Sequence, residues 1–404
     1  MSAIPHDISI YQKPAHGKAF IAKYPTTGYK HKLSSFGGSD TASCQIVCTQ
    51  SEAERFFAEM IGNSARVYVD DPTTPIFDGF INRITYEVGN VVLTRSLDNM
   101  MNRVSVTYYN ANSAAAQKTE ITAVTNNVAS QAIYMVKEGN IDAGVHYDNA
   151  DKTHKTVLRN TLRSIYAYPQ TSTASRGGGA VLISIELKGW YHAWDWQVYT
   201  NTTVTTLTAH ALLARLVVRT DAGYSYPNAA FIYETYAAAT SPLISANASF
   251  NMSIESKQGQ TYLQMIQSLV EAGDGTQKWV AGITKPDPND GIRRVYYRAS
   301  NTTVKYTSRA LSDTGKIFDI YGRTIEPWRV EPDAGMRVTD ILVNYSIGGD
   351  DPTLVYLDTI EYDAESQTVS WQSGDDATLE GSMQFRKYFK KHGQRLGAPP
   401  RQLV

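Results

Sequence analysis

Phe77-Asp78-Gly79-Phe80-Ile81 is the stretch that decides how the N-terminal part of this sequence folds. It opens a β-rich run that continues to Val88, and Gly89-Asn90 follows it as a two-residue hairpin signal. Residues 91–96 have the composition of a returning strand. The pattern predicts consecutive antiparallel strands, preceded by a shorter strand at residues 65–69.

A helix is predicted just before these strands. Ser51-Glu52-Ala53-Glu54 matches a capping box, in which a hydroxyl and a carboxylate bind backbone amides of the first helical turn. The helix is expected to stop at Gly62, and its apolar residues form one stripe: Phe56, Phe57, Met60 and Ile61. Upstream, Cys44, Ile46 and Cys48 alternate with polar residues, which predicts a strand that carries all three on one face.

The composition favours β-structure and argues against several classes of function. Of the 404 residues 19 % are charged, below the usual share of about 25 %, and 26 are tyrosine, a residue that suits a pleated sheet. The net charge of −1 is not that of a nucleic-acid-binding domain, so no sequence-specific nucleic-acid partner is expected. No apolar run approaches the ~18 residues of a membrane span. The first residues lack the features of a signal peptide, so synthesis in a cytosol-like compartment is expected.

The rest of the chain alternates between predicted helices and strands. Helices are predicted at residues 125–134, 149–168, 207–218 and 261–272, the last ending at Gly273. Strands are predicted at residues 180–199, around Trp279, and at 295–297, 340–346, 354–362 and 368–372. At roughly 100–200 residues per domain, the length predicts two to four domains.

Several segments together resemble the tail hub proteins of bacteriophages, a group of minor tail proteins at the tail tip. The resemblance lies in an N-terminal order of strand, helix, strand, F-x-G-x-I segment and sheet-closing segment; its residues are 36–38, 52–61, 65–69, 77–81 and 97–104. Residues 129–134 and 323–332, the latter shortly before 338–341, resemble tail proteins of long-tailed phages. A second F-x-G-x-I segment is absent from the C-terminal part.

This resemblance implies a β-rich α+β, multi-domain fold with two hub-type β-barrel tube domains plus peripheral domains. Residues 1–110 would form tube domain I and residues 111–320 peripheral or insertion domains of mixed α/β structure. Residues 321–385 would form tube domain II, and residues 386–404 a basic C-terminal tail. Three subunits with two related barrels each would make a homotrimer with a pseudo-sixfold ring.

The implied function is structural, and the chain is expected not to be an enzyme. It would end the tail tube, surround the DNA conduit and the tape-measure protein, and anchor distal proteins, fibres or a spike. The expected partners are the tail tube protein, the distal tail protein, the tape-measure protein and the fibre or spike proteins, in the virion tail tip after assembly in the host cytoplasm. Three alternatives stay open: a hexameric distal tail protein, a carbohydrate-binding or cell-wall-degrading tail protein, and the equivalent part of a contractile injection particle.

Two groups of residues are candidate interaction sites. Trp190, Trp194 and Trp196, with Tyr191, could form an interface or a platform on which sugar rings stack, or could fill a core. Near the C-terminus, Arg386, Lys387, Lys390 and Lys391 could form a docking tail on another tail protein, or a solvated helix face.

No catalytic residue, cofactor or metal site is expected from the sequence. Cys44 and Cys48 lie on a predicted strand without a second cysteine pair, so they are interpreted as small buried residues. No H-E-x-x-H or G-x-S-x-G element is present, and the loop at residues 286–291 lacks the glutamate of a calcium-binding loop.

Overall fold

The computed structural model describes most of the chain up to residue 299 and shorter stretches beyond it. The described residues are 6–14, 19–34, 36–69, 75–110, 119–147, 152–175, 181–199, 205–217, 226, 228–233, 243–247, 251–254, 260–273, 279–286, 291–299, 306–307, 310–311, 317–318, 324–325, 340–343, 353–366, 368–373 and 380–384.

Strands dominate the described part. The first twelve are β1 (His6–Tyr11), β2 (Phe20–Ser34), β3 (Gly37–Ile46), β4 (Ser64–Tyr68), β5 (Phe77–Val88), β6 (Val91–Ser96), β7 (Arg103–Asn110), β8 (Thr119–Ile121), β9 (Thr125–Asn126), β10 (Glu138–Tyr147), β11 (Gln170–Ser175) and β12 (Leu182–Gly189). The later ones are β13 (Thr205–Thr208), β14 (Asn251–Ile254), β15 (Trp279–Ile283), β16 (Val295–Ala299), β17 (Tyr306–Thr307), β18 (Ala310–Leu311), β19 (Ile317–Phe318), β20 (Thr324–Ile325), β21 (Asp340–Val343), β22 (Thr353–Asp363), β23 (Thr368–Ser373) and β24 (Glu380–Gln384).

The helices lie between these strands. They are α1 (Gln50–Glu59), α2 (Val128–Tyr134), α3 (Lys152–Tyr166), α4 (Ala209–Val217), α5 (Ala229–Ile232), α6 (Tyr262–Ala272) and a 3₁₀ helix, Trp190–Trp196. None of the helices in the described residues is long and apolar enough to cross a membrane.

Six antiparallel strands close into a barrel, so the chain is β-rich as the sequence predicts. The order around the barrel is β1-β2-β3-β12-β5-β4, and β4 pairs with β1 to complete the circle. Alternate side chains point inward and are almost fully buried, among them Ile8, Ile10, Ile46, Ile183 and Ile185. This alternation is the physical reason that these segments form strands with one face in a core.

The barrel is not complete within residues 1–110, the range predicted for tube domain I. Its strand β12 comes from residues 182–189, inside the range predicted for peripheral domains. Strands β15 and β16 extend the same sheet beyond β3, and β22 to β24 extend it beyond β2. A single sheet therefore joins strands from all three predicted regions.

Local signals placed most elements correctly. The hairpin at Gly89-Asn90 is confirmed, since Val88 pairs with Val91 and Gly89 has a φ of 59°. Helix α6 is confirmed with Thr261 as its N-cap and Gly273 as its C-cap. The start of α1 was predicted wrongly: Thr49, not Ser51, is the N-cap, and it forms the capping box with Glu52. The predicted strand at residues 180–199 ends at Gly189, where the 3₁₀ helix begins.

Candidate interaction surfaces

Asp78, the second residue of the fold-deciding stretch, is a buried anion held by two arginines. Its carboxylate accepts two hydrogen bonds from the Arg293 guanidinium, one of them at 2.7 Å, and a third from Arg66 at 3.3 Å. The side chains of Asp78 and Arg293 are only 2 % and 4 % exposed. Arg293 also donates to Ser64 Oγ and lies over the Trp190 ring at 4.8 Å. The ion pair therefore fixes the loop before β16 to the barrel wall.

Gly79 lets β5 approach β12, and Gly189 lets β12 approach β3, without a side chain between the strands. A Cβ atom at Gly79 would lie 2.2 Å from the carbonyl oxygen of Lys188, and one at Gly189 would lie 1.6 Å from that of Ser39. Next to them, Phe80 packs on the rings of Trp190 and Trp196, with centroids 5.2 Å apart in each case. The glycine of the F-x-G-x-I segment is thus required by strand packing.

The aromatic residues for which the sequence left open an interface, a sugar platform or a core position lie in the core. Trp190, Trp194 and Trp196 are 2 %, 0 % and 8 % exposed. They belong to the 3₁₀ helix, whose rings turn to several sides instead of alternating along a strand. Trp194 Nε1 donates to Tyr233 Oη at 3.3 Å, which anchors the helix to the residue after α5. In this arrangement their ring faces are covered by the chain's own residues.

A polar cluster around Asp98 joins the barrel to the segment that follows it. The Asp98 carboxylate accepts hydrogen bonds from Asn82 at 3.0 Å and from Ser96, Arg83 and Lys188 at 2.9 Å. Burial raises the pKa of Asp98, but hydrogen bonds from Lys188, Asn82 and Ser96 outweigh it and hold this pKa well below its ordinary value.

Lys137 lies beside that cluster with its ammonium group on backbone carbonyls. Its Nζ donates to the carbonyl oxygens of Leu97 and Asp98, the second at 2.9 Å, and lies 5.6 Å from the Trp196 ring centroid. Burial lowers the pKa of Lys137 to about 8, against the attraction of Asp98. These contacts attach the side chain of Lys137 to the backbone at the start of residues 97–104.

The outer face of the barrel carries a polar groove of about 650 Å³ across four strands. Its walls are two rows of side chains in cross-strand register: Asp363, Lys30, Ser43 and Glu186 in one row, and Glu361, Lys32, Thr41 and Lys188 in the other. Lys30 pairs with Asp363 at 2.9 Å and Lys32 with Glu361 at 3.3 Å. The charges balance within the groove, so the geometry favours neither an anion nor a cation as a ligand.

Strand β11 forms an edge of the sheet. All six of its residues are exposed, and it pairs in regular register with β6 along its full length. Among the described strands, no other strand pairs with β11. Its sequence, Gln-Thr-Ser-Thr-Ala-Ser, contains no charge, proline or bulge, which are the features that usually protect an edge strand from pairing with another chain.

The remaining sequence candidates are placed as follows. Cys44 is buried inside the barrel, and burial raises its pKa well above the ordinary value, while Cys48 lies half-buried beyond the end of β3. The described residues contain no group of three or more His, Cys, Asp or Glu side chains arranged to hold a metal ion. The predicted docking residues Arg386, Lys387, Lys390 and Lys391 lie outside the described residues.

The sequence did not indicate the partner of Asp78 or the cluster around Asp98. A single aspartate within an apolar strand was the only local sign of the first. Arg293 lies in a turn-rich segment and resembles any surface arginine in sequence. In the comparisons with known proteins, no family model, no curated protein and no solved structure matches this chain.

Proposed function

We propose that this chain is a structural subunit of a phage tail tip, a hub-type protein that forms a ring at the end of the tail tube. The observation that carries the proposal is the closed antiparallel barrel around the F-x-G-x-I stretch, together with the unprotected edge strand β11. A ring subunit has to bury its free edges against neighbouring copies, and closed symmetry provides the partner for each edge.

The polar surface of the barrel supports a role in assembly rather than in catalysis. The groove walls on the outer face are charge-balanced ion pairs and hydroxyl groups, and they do not converge on one point as catalytic groups do. The proposal therefore assigns no catalytic residue and no cofactor. Glycan binding by the tryptophans is not proposed, because their rings are buried.

The finer parts of the proposal concern the second barrel and the ring. Residues 321–385 would supply tube domain II, and strands β22 to β24 support β-structure in that region. Three copies, each with two tube domains, would then give the pseudo-sixfold ring around the conduit. The tube protein, the tape-measure protein and the distal proteins or fibres would bind to this ring.

The first experiment determines the number of copies. The purified full-length chain is examined by mass photometry and negative-stain electron microscopy with symmetry analysis. A trimeric ring with six density lobes is the expected result. Six copies would favour the distal tail protein, and a chain that stays monomeric both alone and in the virion would overturn the proposal.

The second experiment tests the edge strand. Thr171→Lys together with Thr173→Lys places two charges on exposed positions of β11, and charges on an edge disfavour pairing with another strand. The variant is expected to lose the assembled form while its monomer stays folded. Gln50→Lys, an exposed change on α1, is the matched control and is expected to assemble normally.

A further inference from the structure

Strand β22 pairs with β2 beside the closed barrel and takes part in a buried cluster of two histidines and two tyrosines. His6, Tyr29, His31 and Tyr362 are each 3 % exposed or less. The Tyr362 ring lies 5.6 Å from His6 and 5.4 Å from His31, centroid to centroid. Tyr29 lies 5.0 Å from His6 and 5.5 Å from His31. Tyr362 thus brings β22 into a set of rings that β1 and β2 supply.

Backbone hydrogen bonds and ion pairs on the outer face of the sheet also hold β22 against β2. His31 and Tyr362 are register partners in the β2–β22 pair, and the amide of Ala364 donates to the carbonyl of Tyr29 at 2.9 Å. On the outer face of the sheet, the ion pairs Lys30–Asp363 and Lys32–Glu361 lie on either side of the His31–Tyr362 pair. Both pairs are partly exposed, so solvent screens them and they contribute little to the stability of the seam, the contact between β2 and β22.

His31 is a buried ionisable residue that packs against Tyr362 across the β2–β22 pair. Neither of its ring nitrogens has a hydrogen-bond partner among the protein atoms described. Burial, then Lys285 and His6, lower the pKa of His31 well below its ordinary value of 6.5. A protonated ring at this position would be a buried cation without a carboxylate, which is strongly unfavourable.

The groups around His31 come from every element of the seam. They are His6 on β1, Tyr29 on its own strand, Tyr362 on β22 and Lys285 after β15, and Cys44 on β3 lies next to Tyr29. The acidic residues of β22, Glu361 and Asp363, pair with Lys32 and Lys30 on the outer face. The basic members of this set repel a positive ring, and the tyrosines and the cysteine provide no negative charge at neutral pH.

We propose that β22 is a latch that opens in mild acid, when protonation of His31 favours release of the strand from β2. In the closed state His31 is buried and neutral, and in the released state it reaches water and takes up a proton with an ordinary pKa. The closed state therefore keeps its full stability above about pH 6.5 and loses it as the pH falls below that value. The proposal stands independently of the tail-tip function.

The effect has a defined size. For one histidine that is neutral when closed and ordinary when released, the opening equilibrium rises about tenfold for each pH unit well below 6.5. Between pH 7 and pH 5 it rises roughly 25-fold. The carboxylate of Asp363 does not produce this change, because hydrogen bonds from Lys30 and two backbone amides outweigh burial and keep its pKa below its ordinary value of 3.8.

The test is hydrogen exchange of the full-length chain at pH 7 and pH 5, followed by mass spectrometry and corrected for intrinsic exchange rates. Peptides that cover residues 359–366 are expected to lose protection about 25-fold, while peptides from β4 and β5 keep theirs. The His31→Phe variant keeps an aromatic ring at this position but cannot take up a proton. Its peptides are therefore expected to keep their protection at pH 5. His31→Gln is the second neutral replacement in case the first variant does not fold, and His154→Gln, an exposed change on α3, is expected to behave as the wild type.

An engineered disulfide between β2 and β22 distinguishes release of β22 from other effects of acid on the protein. Lys32 and Glu361 are register partners, so Lys32→Cys with Glu361→Cys can be oxidised to a bridge across the seam. The oxidised form is expected to stay protected at pH 5 and the reduced form to lose protection. Equal loss in the wild type and both neutral variants, loss that is uniform over the barrel strands, or no loss in the wild type would each overturn the proposal.

Discussion

Asp78 and Arg293 form a bidentate ion pair inside the protein, although 215 positions separate them in the chain. One lies in the stretch that decides the barrel, and the other lies in the segment between β15 and β16. Because both side chains are almost fully withdrawn from water, each depends on the other for its charge to be tolerated. The pair therefore couples the barrel to residues far along the chain.

Removal of one partner should be strongly destabilising. Asp78→Ala leaves Arg293 and Arg66 without their carboxylate, and we expect a loss of roughly 3–5 kcal/mol in the free energy of unfolding by urea. Arg293→Met should cost less, because Arg66 still pairs with Asp78. Arg55→Gln, which breaks an exposed pair on α1, is the control and should leave the urea midpoint unchanged. An Asp78→Ala protein as stable as the wild type would contradict the buried ion pair.

The features that could be predicted from the sequence are those that depend on residues close together in the chain. The Gly89-Asn90 turn and the end of α6 were found because a hairpin glycine and a C-cap glycine act within a few positions. The partners of each strand could not be found in this way. Strand β12 was predicted as β-structure, but nothing local indicates that Glu186 comes to lie beside Arg83, 103 positions away.

The same limit applies to the candidate sites. The tryptophans were interpreted on a strand, where alternate rings share a face, but the chain leaves the strand at Gly189 and turns into a 3₁₀ helix. Gly189 lies against the backbone of Ser39, a distant contact that no local pattern encodes. The histidine cluster likewise combines residues from three strands, and only their pairing brings the rings together.

The glycine of the F-x-G-x-I stretch should not tolerate a side chain. Gly79→Ala would place a Cβ atom 2.2 Å from the Lys188 carbonyl oxygen and force β5 and β12 apart. We expect a loss of about 1–3 kcal/mol or more, measured as a lower midpoint of thermal unfolding. Gly89→Asn is the matched control, because that position has a φ of 59° and no atom within 4 Å of an added Cβ. Equal midpoints for the two variants would argue against the close strand contact.

The cap of α1 that the sequence predicted and the cap in the structure can be distinguished directly. The sequence predicted a capping box at Ser51 with Glu54, whereas the structure has it at Thr49 with Glu52. Thr49→Ala should lower the stability by roughly 1 kcal/mol, the usual effect of a lost N-cap. Ser51→Ala should have almost no effect, because Ser51 lies within the helix. Urea unfolding of both variants checks this, and the opposite order would restore the cap predicted from sequence.

The buried position of the tryptophans predicts a stability effect rather than a loss of glycan binding. Trp194→Ala removes a fully buried ring and its hydrogen bond to Tyr233, and we expect roughly 3–5 kcal/mol of destabilisation. Thermal unfolding and a peptidoglycan pull-down are measured on the same samples. A variant with an unchanged midpoint but lost retention on peptidoglycan would show that the ring acts on a ligand instead.

Asp98 should determine part of the stability in acid. Its pKa in the folded chain lies well below its ordinary value of 3.8, because hydrogen bonds from Lys188, Asn82 and Ser96 outweigh burial. Stabilisation by this carboxylate is therefore present above about pH 4 and is lost as the pH falls toward the folded pKa. The wild type should lose stability more steeply than Asp98→Asn between pH 5 and pH 3, by an amount reduced by solvent because the side chain is 32 % exposed. Asp7→Asn, which breaks the more exposed pair with Lys23, should follow the wild type. Urea midpoints across this pH range provide the measurement. If the midpoints of the wild type and of Asp98→Asn fall equally with pH, the negative charge of Asp98 does not contribute to stability.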